Sequence, residues 1–179
     1  MAKQRTVAAL CLLATLAFHA PGAAAAPDSS CPATFLPLDG RCVHIYTDYY
    51  EGQAPPMTWP AAKDLCGAMA TDGWTTDLAT LTESFLSAFS AHVVSELQGM
   101  TGYIFWTGAN KVDGVWQWAD TSPIDHMSYF WYMSSPNPES TGVHGMLVPS
   151  GANNRFYMME YGADSVGPSF VCEAMPVAV

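Results

Sequence analysis

Tyr-Ile-Phe-Trp-Thr-Gly-Ala-Asn-Lys-Val-Asp-Gly-Val-Trp-Gln-Trp, residues 103–118, is the stretch on which the fold depends. Its first five residues are aromatic or β-branched and lie between two glycines, which is typical of a short buried strand. The Asp113-Gly114 pair favours a tight turn into a second strand, whose alternation places both later Trp side chains on one face. Since one large aromatic can bury about 150–250 Å², the three Trp residues of this stretch indicate a core.

Two helices are predicted before this hairpin. Pro60 near the first helical position begins one of them, and its apolar face is expected to hold Trp59, Ala62, Leu65 and Cys66. Thr82 opens the other, with Glu83 in its first turn. Its apolar residues recur at a spacing of three or four: Phe85, Leu86, Phe89, Val93 and Leu97.

Short strands account for most of the remaining sequence. They are predicted at residues 35–38, 42–46, 78–81, 146–148, 156–160 and 169–173. Residues 119–138 are rich in Ser, Pro, Asp and aromatic residues, and we interpret them as a long irregular loop. Two helices separated from a mainly antiparallel sheet predict an α+β protein.

The first 26 residues have the order of a secretory signal peptide: basic residues, an apolar run and then small residues. The apolar run is shorter than the ~20 residues that a membrane-spanning helix needs. We expect a signal peptide at 1–26, a short leader at 27–30, one domain at 31–174 and a tail at 175–179. The mature protein is therefore predicted to be secreted and extracellular, without a membrane span.

The charge balance argues against nucleic acid as a partner. The chain has six Lys and Arg against sixteen Asp and Glu. Two of the six basic residues and no acid lie in the predicted signal peptide, so four basic residues and sixteen acids remain, a formal charge of −12. Binding to phosphates requires the opposite sign.

Cysteine usage indicates an oxidising compartment. Cys11 lies in the predicted signal peptide, and the mature chain retains an even number: Cys31, Cys42, Cys66 and Cys172. Two disulfides are the natural expectation, and three connectivities are possible. Nearness in sequence favours Cys31 with Cys42, which leaves Cys66 with Cys172.

Six motifs occur in order: Cys31-Pro32 with Gly40-x-Cys42, Trp59-x-x-Ala62-x-x-x-Cys66, Leu78-Ala79-x-Leu81-x-x-Glu83, Trp106-Thr107-Gly108-Ala109, Gly114-x-Trp116-x-Trp118 and Phe170-Val171-Cys172-Glu173. Together they resemble a C-type lectin-like domain over about residues 31–174. The resemblance implies a compact double-looped fold and a ligand site on the long loop. It also implies the family's outer disulfide for Cys66 with Cys172 and the extra N-terminal bridge of its long form for Cys31 with Cys42.

The function that the resemblance implies is that of a secreted carbohydrate-binding lectin, used in pattern recognition in innate immunity. The alternative is a calcium-independent lectin-like module that binds a protein or another non-sugar ligand. The sequence has no His-Glu-x-x-His zinc motif and no Gly-x-Ser-x-Gly elbow, so we interpret the protein as a binding module and not an enzyme.

The sequence departs from the family at its calcium site. Sugar-binding members carry Glu-Pro-Asn or Gln-Pro-Asp after the loop Trp, whereas Trp131 is followed here by Ser135, Pro136 and Asn137. Ca²⁺ prefers six to eight oxygens that include carboxylates, and a Ser hydroxyl is a poor substitute. The remaining candidate metal ligands are Asn137, Glu139 and Glu160, so calcium affinity is expected to be weak or absent.

Two further departures concern the loop. The family's inner disulfide is missing, since its places hold Gly145 or Met146 and roughly residues 162–164. The resemblance also implies that Pro136 follows a cis peptide bond.

Sugar binding without calcium would need stacking and hydrogen bonds. The candidates are Tyr129, Trp131 and Tyr132 for stacking, and Asn137, Asn153 and Asn154 for hydrogen bonds. The aromatic side chains of residues 129–133 could instead pack against the core beneath the loop, or form a surface that binds a protein.

Overall fold

The computed structural model describes residues 31–47, 51–97, 102–151 and 154–177. The helices are α1 (Trp59–Ala68) and α2 (Glu83–Glu96). The strands are β1 (Leu36–Leu38), β2 (Arg41–Tyr46), β3 (Met57–Thr58), β4 (Trp74–Leu78), β5 (Phe105–Val112), β6 (Val115–Gln117), β7 (His144–Ser150), β8 (Arg155–Tyr161), β9 (Val166–Gly167) and β10 (Ser169–Pro176). The predicted signal peptide and leader lie outside the described residues.

An eight-stranded sheet has the spatial order β1-β2-β10-β5-β7-β8, with β4 also paired to β10 and β6 to β5. Among the described strands only β10 and β5 pair in parallel, so the sheet is mixed but mainly antiparallel, as predicted. The two-residue strands β3 and β9, which were not predicted, form a second sheet. The last strand runs to Pro176, past the expected domain end at residue 174.

The central hairpin forms as predicted, but its first strand is displaced. Asp113 and Gly114 both have positive φ, at 50° and 83°, which suits a two-residue hairpin turn. Strand β5 passes through Gly108, where we expected it to end. A Cβ on Gly108 would lie 2.7 Å from the carbonyl oxygen of Leu78, so this glycine permits a close approach of two backbones.

The expected extended piece at 78–81 lies mostly outside a strand, because β4 ends at Leu78. Ala79 is nevertheless fixed by two backbone hydrogen bonds. Its N–H donates to the Val171 carbonyl at 2.8 Å, and its own carbonyl accepts from the Gly108 N–H at 2.8 Å. The backbone at Ala79 therefore connects β10 with β5 without belonging to a strand.

Helix α1 buries a narrow stripe of Trp59, Ala62 and Cys66, and Pro lies in its first turn. The prediction that Leu65 belongs to this stripe was wrong, since its side chain is 43% exposed. A spacing of three and four residues places the three buried side chains on one line, and Leu65 falls beside it.

Helix α2 begins as predicted, because the Thr82 hydroxyl accepts the Phe85 N–H at 3.2 Å. Phe89 is fully buried and meets the rings of Phe105 and Phe156 edge-on, at centroid distances of 5.2 and 5.4 Å. These contacts fix α2 against β5 and β8. Within the described residues, no helix is long and apolar enough to cross a membrane.

Both disulfides have the predicted pairing, Cys31 with Cys42 and Cys66 with Cys172. The first closes the N-terminal hairpin, with a sequence separation of 11. The second joins α1 to β10 across a separation of 106, and both of its cysteines are fully buried. The longer bridge therefore connects the beginning of the domain to its central strand.

The long loop after Trp118 is irregular, as predicted, and it is held against the edge strand β8. The Met158 N–H donates to the Phe130 carbonyl at 2.7 Å, and the Met158 carbonyl accepts from the Tyr132 N–H at 2.9 Å. Trp131 forms an isolated parallel bridge with Met158. The loop thus adds one short β-bridge to the outer edge of the sheet.

His144 on β7 makes the stability of the domain dependent on pH. Its ring stacks on Trp59 at 4.4 Å and meets Trp106 edge-on at 6.2 Å, and its buried Nδ1 has no hydrogen-bond partner among the described residues. Burial lowers the pKa of His144 from 6.5 to about 4. The imidazole is therefore neutral in the folded protein at pH values where the unfolded chain binds a proton.

Above pH 6.5, His144 should not affect the free energy of unfolding. Between pH 6.5 and 4 this free energy should fall, because the unfolded chain binds a proton at His144 and the folded chain does not. The loss should be about 2 kcal/mol, below the full value for such a shift because the ring is partly exposed. Urea unfolding at pH 7 and pH 4 measures it. His144→Phe should flatten the difference; an equal pH dependence in both proteins would contradict this origin.

Candidate functional site

A cleft of about 410 Å³ opens between the β5–β6 hairpin and the long loop. Residues from both elements line it, including Lys111, Trp116, Ile124, His126, Pro136 and Asn137. Two of the residues predicted to bind a ligand, Pro136 and Asn137, therefore face the central hairpin. A concave, partly apolar site of this size is in the usual range for small ligands.

The floor of the cleft is rigid and apolar. Trp116 and Ile124 are only 6% and 7% exposed. The Ile124 N–H donates to the Trp116 carbonyl at 2.9 Å, which fastens the beginning of the loop to the hairpin. Strand pairing fixes the neighbouring side chains, since Lys111 and Trp116 are directly opposite each other. Cross-strand partners point to the same side of a sheet, so both reach the cleft.

The wall of the cleft is formed by residues 135–138. The Ser135–Pro136 peptide bond is cis, as the resemblance implied. Asn137 then makes a local turn, in which its Oδ1 accepts the Glu139 N–H at 2.9 Å. This bond uses one of the two lone pairs of the amide oxygen, and the NH₂ group of Asn137 has no acceptor among the described residues.

Glu160 supports this wall from β8. Its Oε1 accepts the Asn137 N–H at 2.9 Å, and its Oε2 is buried without a partner among the described residues. Gly142 covers it closely, because a Cβ on Gly142 would lie 2.7 Å from Cγ of Glu160. Glu160 thus connects the loop to the sheet through the backbone of Asn137.

The three candidate metal ligands do not fit a calcium site. One oxygen of Glu160 and the amide oxygen of Asn137 already accept backbone hydrogen bonds, and the other oxygen of Glu160 is buried. Only Glu139 offers a free, exposed carboxylate. Across the described part of the chain, no three acidic, His or Cys side chains gather in a way that would hold a metal. Ca²⁺ requires more oxygens than this arrangement presents.

Trp131, predicted as a stacking surface for a ligand, is a core residue. It is 6% exposed, and its ring meets Trp116 edge-on at a centroid distance of 5.0 Å. Its indole N–H donates to the Asp125 carbonyl at 3.3 Å. Because both faces of the ring are covered, Trp131 supports the loop from below and offers no stacking platform.

Two other residues predicted for sugar binding lie away from the cleft. Tyr129 is 51% exposed and interacts electrostatically with Glu83, at the beginning of α2, and with Arg155. Asn154 precedes Arg155, at the end of β8 opposite Glu160. Tyr129 and Asn154 therefore belong to the other end of the strand, and Asn153 lies outside the described residues. Tyr132 packs against the Tyr157 ring at 5.7 Å.

The contribution of the hairpin and of the first loop residues to the cleft was not predicted from the sequence. Lys111, Val115 and His126 line it, and none was singled out. One signal was available for Lys111. It is one of only four basic residues outside the predicted signal peptide, and it lies beside the turn of the central hairpin.

Neither a family model nor a curated protein matches the sequence. Solved structures do. The C-type lectin domain of murine dendritic cell inhibitory receptor 2, in complex with N-glycan, is 17% identical, with 83% of this chain and 100% of that chain covered at a TM-score of 0.60. The C-type lectin CEL-I from Cucumaria echinata is 15% identical, with 82% and 99% covered at a TM-score of 0.61.

A third similar structure is a calcium-independent type II antifreeze protein, 20% identical, with 83% of this chain and 96% of that chain covered at a TM-score of 0.55. At these identities the similarity concerns the fold. The structure itself has two helices, a mixed sheet and two disulfides. The chain therefore has the C-type lectin-like fold.

Proposed function

We propose that this protein is a secreted carbohydrate-binding lectin that binds a glycan in the cleft beside Asn137 without a calcium ion. The cleft itself carries the proposal: about 410 Å³, an apolar floor at Trp116 and Ile124, and a polar wall at Asn137. Sugars present both C–H faces and hydroxyl groups, so they require this combination of apolar contact and hydrogen bonds. A role in pattern recognition in innate immunity stays a prediction.

The similar structures support binding as the class of function. The murine receptor domain was solved with an N-glycan, and the antifreeze protein is described as calcium-independent. A fold of this kind thus occurs in a glycan complex and also in a protein that does without calcium. Two disulfides are typical of secreted domains and support an extracellular location.

A glycan array tests the proposal, run once with calcium and once with chelator. We expect the same glycans to bind in both conditions. Asn137→Ala should weaken binding because it removes the amide on the wall. Asn154→Gly is the matched control, since Asn154 lies at the other end of β8 and its φ of 50° suits glycine. Silence across a broad array, or binding that chelator abolishes, would contradict the proposal.

Calcium is expected to leave the thermal stability unchanged. Among the three candidate ligands only Glu139 presents a free, exposed carboxylate, and Ca²⁺ requires six to eight oxygens. A ligand at 100 times its Kd would add about 2.7 kcal/mol to the free energy of unfolding, which a melt detects easily. Melts with calcium and with chelator should therefore superimpose. If calcium instead stabilised the protein, Glu139→Ala and Glu160→Ala would identify the ligands.

A protein ligand is the second candidate, and the exposed apolar side chains of the loop favour it. Met127 is 77% and Met133 87% exposed, and Tyr129 lies between them in sequence. Apolar and aromatic residues on a protruding loop are common at protein interfaces. Met127→Ser with Met133→Ser should abolish this activity and leave glycan binding in the cleft unchanged.

A further inference from the structure

We infer that the glycan bound in the cleft is negatively charged, through a carboxylate or sulfate group. The inference rests on the proposed function and concerns the class of sugar that this cleft selects. Three observations carry it: the sign of the charges in the lining, the hydrogen-bonding character of its polar groups, and the unpaired state of Lys111.

The lining of the cleft has the opposite charge bias to the rest of the chain. Acids outnumber Lys and Arg by sixteen to six in the sequence, yet no Asp or Glu lines the cleft, whereas Lys111 and His126 do. Three acids stand near its rim: Asp113, Asp125 and Glu139 are neighbours in sequence of lining residues. One oxygen of Asp125 accepts the Met127 N–H at 2.8 Å and lies 3.8 Å from Nδ1 of His126.

Lys111 has no carboxylate partner among the described residues. The ion pairs that Lys and Arg make there join Arg41 to Glu173 and Lys63 to Asp77. Lys111 is partly buried and belongs to neither pair. Its ammonium group is therefore available to an anion that enters the cleft.

Asn137 and Trp116 also bring donors to the lining of the cleft. The Asn137 oxygen already accepts the Glu139 N–H, and the NH₂ group of Asn137 adds two donors. The Trp116 indole can only donate. Lys111, Trp116 and Asn137 all line the one cleft, so a complementary ligand is rich in acceptors. Carboxylate and sulfate groups meet that requirement better than neutral hydroxyls do.

The overall negative charge of the protein does not oppose this selection strongly. Charges separated by more than about 8 Å are largely screened at physiological ionic strength. The acids beyond this distance therefore matter little, and Lys111 is the one Lys or Arg among the lining residues.

The test compares pairs of oligosaccharides that differ only in charge: sialylated with desialylated, and sulfated with unsulfated. Binding is measured by titration calorimetry in chelator, with pairs chosen from the glycan array. We expect the acidic member of a pair to bind about tenfold more tightly, the size of one charge-assisted hydrogen bond. The two kinds of pair distinguish carboxylate from sulfate.

Lys111→Gln should remove this preference, reducing affinity for the acidic glycan about tenfold more than affinity for the neutral one. Lys111→Arg should retain it. Lys63→Gln in α1 is the matched control, because it changes the net charge equally, away from the cleft. Equal binding of acidic and neutral members, or an acidic preference that survives Lys111→Gln, would overturn the inference while leaving the proposed lectin function intact. A silent array would overturn both.

Discussion

Replacing Cys66 and Cys172 together by alanine is expected to lower the free energy of unfolding by about 4–5 kcal/mol, more than the loss of the other disulfide would. The bridge closes a loop with a sequence separation of 106, and both sulfurs lie in the core between α1 and β10. Without it, the unfolded chain gains the conformational freedom of most of the domain. Urea unfolding of the double variant measures the loss, and failure to accumulate a folded product would be its extreme form.

The other disulfide supplies the matched control. Cys31 and Cys42 are separated by only 11 positions, and Cys31 is partly exposed. The chain-entropy account assigns a loop of this size about 3 kcal/mol or less, so Cys31→Ala with Cys42→Ala should be the milder change. Equal losses for the two double variants would show that loop length does not determine the stabilisation.

The elements with strong local signals could be predicted from the sequence. The Asp113-Gly114 turn, the Thr82 cap and the apolar spacing of α2 are each decided by a few neighbouring residues, and all three are present in the structure. Errors occurred where a distant contact decided the outcome. The residues next to Gly108 in sequence favour the end of a strand there. In the structure the strand continues, because the backbone of Leu78 approaches Gly108 closely from another element.

Only some of the residues that line the cleft could be predicted from the sequence. Pro136 and Asn137 were found because they belong to a motif, and the motif lies on one continuous segment. Lys111 and His126 come from two other segments, and only the docking of the loop against the hairpin brings them together. The sequence also does not predict which aromatic residues of the loop face the core, because residues 129–133 show no helical or alternating period.

Trp131→Ala is expected to lower the free energy of unfolding by roughly 3–5 kcal/mol, the usual cost of removing a large buried aromatic. The ring packs against Trp116 at 5.0 Å and belongs to the same buried cluster as Phe130 and Met158. Its removal leaves a cavity beneath the cleft and also deletes the hydrogen bond to the Asp125 carbonyl. Urea unfolding should show the loss directly, and loss of glycan binding should accompany it.

Two further variants separate support of the cleft from contact with the glycan. Trp131→Phe retains an aromatic ring in the core, so it should recover much of the stability and keep glycan binding close to that of the unmodified protein. Tyr129→Ala removes an exposed ring and should change stability by only about 0.5 kcal/mol or less. If Trp131→Ala unfolded like the unmodified protein and yet bound no glycan, its ring would be an exposed platform after all. We expect the opposite, because the Trp131 ring lies under the loop, and the residues proposed to contact the glycan are those that this ring supports.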